Sequence, residues 1–329
     1  MNAPSRPMPS KGQIEGGVSA RQRHDSGHKH VSGTATYVDD IPTPPGCLSV
    51  AFGMSSKARA RIKSIDLGPV LAAPGVVEVL TDKDIPGAND VSPNAHHEPL
   101  LAEGGEVHFV GQPIFAVIAE SHLLARKAAR LAKIDWEELP ALLTVDDALA
   151  EDSLFEPPYV MARGDADAAI EGAPKLIEGS IEIGGQEHFY LEGQAALALP
   201  QDGGEVVVHS STQHPTEIQH KVAEALGLPM HAVRVEMRRM GGGFGGKESQ
   251  GNALAIACAL VADMTGRPAK MRYDRDDDMV ITGKRHDLRI DYRAGFDDQG
   301  RLMGVDFRHL MRCGWSRRTR NAWPISAAT

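Results

Sequence analysis

Apolar and polar positions along this chain mark out two blocks separated by a stretch without periodicity. In the first block, residues 48–54 and 76–80 are short runs of strand-forming side chains. Residues 110–119 (V-G-Q-P-I-F-A-V-I-A) are almost continuously apolar, which predicts a strand buried on both faces. Residues 121–132 carry apolar positions at helical spacing behind Ser121, a good N-cap. Alternation returns at 134–139 with Ile134 and Trp136.

The second block reads as strands at 176–183, 195–199 and 206–209, then a helix at 216–226 stopped by Gly227 and Pro229. Residues 232–237 alternate again. Residues 249–264 are rich in Ala and Leu and predict a buried helix. A late hairpin is expected from 289–296 and 302–307, joined by D-D-Q-G at 297–300. The fold class that follows is α+β. The expected organisation is a disordered lead-in over 1–17, a first domain over 18–148, a Pro- and Gly-broken linker over 149–173, a second domain over 174–316, and an aberrant tail over 317–329.

Composition narrows the function classes. A hydrophobic content of 42% and a charged content of 24% over 329 residues suit a soluble globular protein with real cores. A formal charge of −9 argues against a nucleic-acid or anionic-membrane surface. No apolar run approaches the ~20 residues that span a bilayer, and the first residues lack the apolar core of a signal peptide. Three scattered cysteines, Cys47, Cys258 and Cys313, form no C-x-x-C pair. They point to a reducing, cytoplasmic setting, without a disulfide framework, iron–sulfur cluster or structural zinc on this chain.

The densest chemical signal is M-G-G-G-F-G-G-K-E-S at 240–249, between a predicted strand and a predicted helix. Five glycines around Phe244 let backbone N–H groups approach a ligand closely, and a helix N-terminus follows. Gly241, Gly243 and Gly246 fit G-x-G-x-x-G, but any run this rich in glycine would, and the expected acidic partner on a second strand is missing. The run from Gly241 to Lys247 also fits a phosphate-binding loop. Glu248 then stands where that motif needs Ser or Thr, and its carboxylate would repel a polyphosphate.

The second signal is G-G-Q-E-H-F-Y-L-E at 184–192, which by pattern alone reads as an edge strand with a solvated face. Together the two stretches resemble the molybdenum-binding subunit of the xanthine dehydrogenase family, the molybdenum hydroxylases. Further matching segments are H-V-S-G-T-A-T-Y-V-D-D at 30–40, V-G-Q-P-I-F-A-V-I at 110–118, and T-G-K-R-H-D at 282–287. The resemblance runs from about 18 to 316 and makes the first domain an a/b hammerhead domain, with the molybdopterin-binding region opening after about 160.

The resemblance implies roles for particular residues. Gln186 would point its amide at the molybdenum, donating to an oxygen ligand without adding charge. Gly243, Phe244 and Gly245 would form the cofactor-binding loop beside the metal, with Gln186 and Phe244 nearest to it. Glu248 would hydrogen-bond a purine substrate, where relatives acting on aldehydes usually have an apolar residue. The competing role for Glu248 is a helix N-terminal carboxylate that complements the dipole. The implied activity is hydroxylation of hypoxanthine or xanthine with oxygen from water. The implied cofactor is molybdenum–molybdopterin, with FeS clusters and FAD on a partner electron-transfer subunit in a heterotetramer.

Relatives continue well past the position of Ser316, and the general-base glutamate belongs to that further part, so no catalytic residue is assigned here. The R-R-T-R-N-A-W-P-I-S-A-A-T that follows continues no periodicity, and a frameshift or premature stop near 316 is the expectation. The chain alone is expected to be inactive. Alternatives are a non-catalytic docking module for the FeS/flavin subunit, a related hydroxylase of aldehydes or N-heterocycles, and an unrelated nucleotide-binding protein.

Other candidates carry less. His24, His28 and His30 could share a metal, but Gly27 and Gly33 argue against the helix that would align them. The His96–His97 pair is expected to be solvated. The D-R-D-D-D run at 274–278 lacks EF-hand spacing and is expected to be a polar turn.

Overall fold

The computed structural model describes residues 24–93, 97–155 and 157–315. The lead-in 1–17, the tail 317–329 and His96 lie outside these. The described residues up to Thr36 belong to one compact unit and those from Tyr37 on to another.

In the first unit a short helix, Gly27–Ser32, carries His28 and His30, with the His24 and His30 rings 5.5 Å apart edge to face. This corrects the expectation that the two glycines exclude a helix. Gly27 is its first residue, and Gly33 lies just past its end at φ 72°, where a left-handed residue closes a helix instead of breaking it. The three histidines do not form a candidate metal cluster: among the described residues that geometry occurs only at Asp274, Asp276 and Asp277.

In the second unit a seven-stranded mixed sheet runs in the order Val233–Glu236, Val206–Ser210, Ala195–Pro200, Ala269–Arg272, Leu48–Met54, Pro113–Ala119, Val76–Leu80. It therefore takes strands from both sides of residues 149–173. The seam is the parallel pairing of Leu48 with Ala269 and Ser49 with Lys270. Val206–Ser210 and Val233–Glu236 are parallel, joined across by helix Pro215–Leu226, which ends on Gly227 at φ 66°.

Helix Asn252–Thr265 is buried from Asn252 through Ala262 and belongs to the main core with Ala196 and Ala198 of the sheet and Ile218 of the neighbouring helix. Its apolar residues lie all round because sheet and neighbouring helix enclose it. Pro113–Ala119 is buried at every position, Ile118 facing the main core and Val117 a second cluster that includes Trp136. Helix His122–Ala129 starts where Ser121 Oγ accepts the Leu124 N–H.

Two three-stranded antiparallel sheets flank this body. One orders Glu106–Val107, Ala60–Asp66 and Lys133–Glu138; the other orders Leu302–Arg312, Asp287–Phe296 and Lys175–Ile183. The expected hairpin turns at 297–300, where Gly300 stands at φ 80°. Within 149–173 there is a helix, Ala166–Glu171, capped by Asp165 and packed on that second sheet. The 274–278 run is not a turn. It opens helix Arg275–Ile281, whose first-turn acids face Arg126, 2.8 Å from Asp277 and in ion-pair contact with Asp274 and Asp276. No helix among the described residues is long and apolar enough to cross a membrane.

Candidate functional site

The glycine loop 241–247 is strapped onto the segment 186–194. Glu192 does most of this, because its Oε2 accepts from the Gly241 N–H (2.7 Å) at the start of the loop and from Lys247 Nζ (3.2 Å) at its end. The same oxygen accepts from Ser211 Oγ (2.8 Å), and Oε1 accepts from the Val38 N–H (3.3 Å). Lys247 is fully buried and also donates to the carbonyl of Glu192 (2.7 Å) and to Ser211 Oγ (2.7 Å). Its ammonium lies 4.6 Å from the Tyr190 ring centre. Burial pulls the Lys247 pKa down, against the opposing pull of Glu192. A lysine so engaged is a structural cation, not a phosphate ligand.

A second strap comes from the strand–helix connection after Val206–Ser210. Gln213 Oε1 accepts from the N–H groups of Gly245 (2.9 Å) and Lys247 (3.2 Å), and the Gln213 N–H donates to the Lys247 carbonyl (2.8 Å). A third runs through the core. Gln194 Nε2 donates to the Gly246 carbonyl and to Tyr190 Oη, both at 2.9 Å, and Tyr190 Oη donates to buried Asp278 (2.8 Å). Burial raises the Asp278 pKa, although Tyr190 and Arg275 both favour its charged form. Burial and then Asp278 push the Tyr190 pKa upward.

The glycines are demanded by contact. A Cβ at Gly241 would lie 2.5 Å from Glu192 Cβ, at Gly243 2.6 Å from Gln213 Oε1, and at Gly246 2.7 Å from His188 Cγ. The last contact shows how close the two stretches come. With Gly241, Gly245, Gly246 and Lys247 N–H groups bonded inside the protein, those of Gly242, Gly243 and Phe244 have no acceptor among the described residues.

Gln186 is exposed and held by paired main-chain bonds with Arg285, 3.1 Å each way; the segment 184–192 is irregular and not the edge strand its pattern suggested. Phe244 is 74% exposed at φ 53°, and Phe189 is 66% exposed at φ 50°. Two bulky residues in the left-handed region store about 1–3 kcal/mol of strain each. Glu248 is exposed beside the loop. Glu187, two residues before Phe189, pairs with Lys284 at 2.8 Å; burial works against its charge, but Lys284 holds its pKa low.

This donor set suits an oxygen-rich, anionic group better than a bare cation. It offers free N–H groups and a neutral amide, with no cluster of His, Cys or carboxylate ligands at the loop.

Residues 150–329 match the family model for the molybdopterin cofactor-binding domain, and 32–140 match the a/b hammerhead domain of aldehyde oxidase and xanthine dehydrogenase. The chain belongs to the molybdenum hydroxylases. It is 40% identical over 296 residues to xanthine dehydrogenase from Drosophila subobscura, covering 89% of this chain and 22% of that protein. It is 39% identical over 293 residues to aldehyde oxidase 4 from Mus musculus, covering 88% and 22%. Among solved structures, aldehyde oxidoreductase from Desulfovibrio gigas superposes with a TM-score of 0.75 at 29% identity, over 87% of this chain and 34% of the other. Quinoline 2-oxidoreductase from Pseudomonas putida 86 gives 0.73 at 26%, over 86% and 38%. The chain thus spans about a fifth of these curated relatives' length.

The side chains that position the loop are Glu192, Gln194, Gln213, Tyr190 and Asp278, none of which the sequence motifs assign to it. Glu192 and Lys247 stood inside the two quoted motifs, and the signal was available there.

Proposed function

We propose that this chain carries part of the molybdopterin site of a xanthine dehydrogenase-type hydroxylase acting on purines. The observation that carries the reading is the glycine loop, pinned at both ends by Glu192 so that the N–H groups of Gly242, Gly243 and Phe244 are left without acceptors. The molybdenum–molybdopterin group would supply two-electron redox chemistry when bound. The free N–H groups of Gly242, Gly243 and Phe244 would hold its oxygen atoms, and the Gln186 amide would donate to it. Gly245 would contribute shape, since its N–H is engaged by Gln213. Exposed Glu248 would accept a ring N–H of the purine. Electrons would leave through FeS clusters and FAD on a partner subunit in the cytoplasm. No general base is assigned within this chain.

The near-equal identities to a xanthine dehydrogenase and an aldehyde oxidase, 40% and 39%, support a second reading in which the substrate is an aldehyde or another N-heterocycle.

The test is to express the chain in a host that makes the cofactor, then measure molybdenum and oxidised-pterin fluorescence per chain. Retention by the wild type and its loss in Gly243→Ala, at unchanged circular dichroism, supports the reading. A chain that folds and binds no pterin overturns it. Glu248→Ala in the loaded protein should weaken xanthine binding and leave molybdenum content unchanged. Xanthine oxidation by the isolated chain would refute the expectation that it is inactive.

A further inference from the structure

We infer that Arg126 is a positioning residue for the glycine loop, acting on it through helix Arg275–Ile281 and the Tyr190 hydroxyl; the inference rests on the functional reading of that loop. Arg126 lies in the part matched by the hammerhead domain. The groups it acts through lie in the part matched by the molybdopterin-binding domain.

The place of Arg126 is fixed by its neighbour. Ala125, on the same helix His122–Ala129, is fully buried against Ala51 and Ala119 of the seven-stranded sheet. From there the guanidinium meets three carboxylates at the start of helix Arg275–Ile281: Asp277 at 2.8 Å, Asp276 at 3.3 Å, and Asp274 in closer contact. His122 adds a contact with Asp274 at 3.3 Å. Residues 274–278 hold four carboxylates in five positions, so this helix start needs a counter-charge beyond its own dipole. Arg272 and Arg275 supply part of it, at 3.4 Å from Asp274 and 3.3 Å from Asp278. Arg126 supplies it from the other matched domain.

The link to the loop has a fixed direction. Asp274 is the residue before the helix, and its carbonyl accepts the Asp278 N–H at 2.9 Å, so anchoring Asp274 places Asp278. The Gly246 carbonyl can only accept, so Gln194 Nε2 donates to it. The same nitrogen donates to Tyr190 Oη, whose own proton then goes to Asp278. Tyr190 and Asp278 are each 1% exposed, and Arg275 holds the Tyr190 carbonyl at 2.5 Å. The peptide group between Gly246 and Lys247 is therefore clamped on both sides, its carbonyl by Gln194 and its N–H by Gln213. Moving the helix start moves Asp278 and loosens one side of that clamp. Gly241, at the other end of the loop, is held by Glu192 instead.

Amide exchange of the cofactor-free full chain, read by NMR, tests this. Arg126→Met should speed exchange of the Lys247 N–H about tenfold and leave Gly241 and the amides of the central strand Pro113–Ala119 unchanged. Arg126→Lys, which keeps the charge and loses the fork, should come within about threefold of wild type. Tyr190→Phe should also speed Lys247, and adding Arg126→Met to it should change the rate by less than about twofold, because the link is already cut. Asp277→Asn, a milder change that removes one ion pair, should speed Lys247 about threefold and serves if Arg126→Met does not fold. The inference is overturned if Lys247 is unmoved in both variants. It is also overturned if Lys247 and the strand amides quicken by the same factor, or if Arg126→Met keeps its full effect on top of Tyr190→Phe. A second readout is pterin per chain after expression in a host that makes the cofactor. Arg126→Met should retain less than wild type, and equal retention overturns the positioning role. A wild type that binds no pterin overturns the functional reading, and the exchange result in the cofactor-free chain still decides the link.

Discussion

Replacing Lys247 by Met removes the cation on which the glycine loop is anchored and leaves the Glu192 carboxylate, 8% exposed, without its charge partner. Breaking one half of a buried pair costs about 3–5 kcal/mol, most of it from the orphaned charge. With about 2.1 cal/mol/K of unfolding entropy per residue, a cooperative unit of roughly this chain's size loses about 1.5 °C of Tm per kcal/mol, so a fall of about 4–8 °C is expected. The double variant Lys247→Met, Glu192→Gln should recover much of that loss. The Gln amide oxygen can still accept from Gly241 N–H and Ser211 Oγ, and no charge remains buried. Differential scanning calorimetry of the four proteins closes the cycle. The reasoning is refuted if Lys247→Met shifts Tm by less than 1 °C, or if the double variant melts lower than the single one.

Gly246→Ala should cost about 1–3 kcal/mol in urea unfolding, because the new Cβ meets His188 and Tyr190 at 2.7–2.8 Å. Gly184→Ala, with nothing within 4 Å, should stay within about 0.5 kcal/mol of wild type. Asp278 has a folded-state pKa raised by burial, so the folded protein holds that proton to higher pH than the unfolded chain does. Wild-type stability should therefore fall relative to Asp278→Asn as pH rises from the unfolded value of 3.8 through the folded pKa; a Tm difference that is flat or rises over that window would count against it. Gln213→Ala removes the acceptor of the Gly245 and Lys247 N–H groups, and hydrogen exchange at both should quicken by an order of magnitude or more while Gly241, held by Glu192, stays slow.

What was legible in the sequence was the part whose pattern reports on burial by itself. Pro113–Ala119, and Asn252–Thr265 as far as Ala262, are enclosed on all sides and read as almost continuous apolar runs. Ala269–Arg272 was not legible, because four residues carry no period and its place is set by Leu48 and Ala198 on distant strands. Ala60–Asp66 escaped notice because it is mostly exposed and polar. The acidic run before Ile281 suggested a turn only while its charges were counted alone. Beside Arg126, and at the N-terminal turn of a helix, they are where the dipole favours them.

The site shows the same division at finer grain. Glycine density gave away the loop, since only a missing Cβ permits its contacts with Glu192, Gln213 and His188. It could not say which N–H groups the loop keeps for itself. That depends on Gln213, which comes 32 residues before Gly245 and reaches it only because the strand Val206–Ser210 and helix Pro215–Leu226 bring their connection beneath the loop. A glycine motif thus marks where a backbone can be approached, while the side chains beneath it decide which of its donors are left without an acceptor inside the fold. Here the three that remain are Gly242, Gly243 and Phe244, and Phe244 holds the left-handed conformation that a glycine would adopt without strain. A phenylalanine kept in that conformation and 74% exposed does not contribute to the core, so packing among the described residues does not account for its place in the loop.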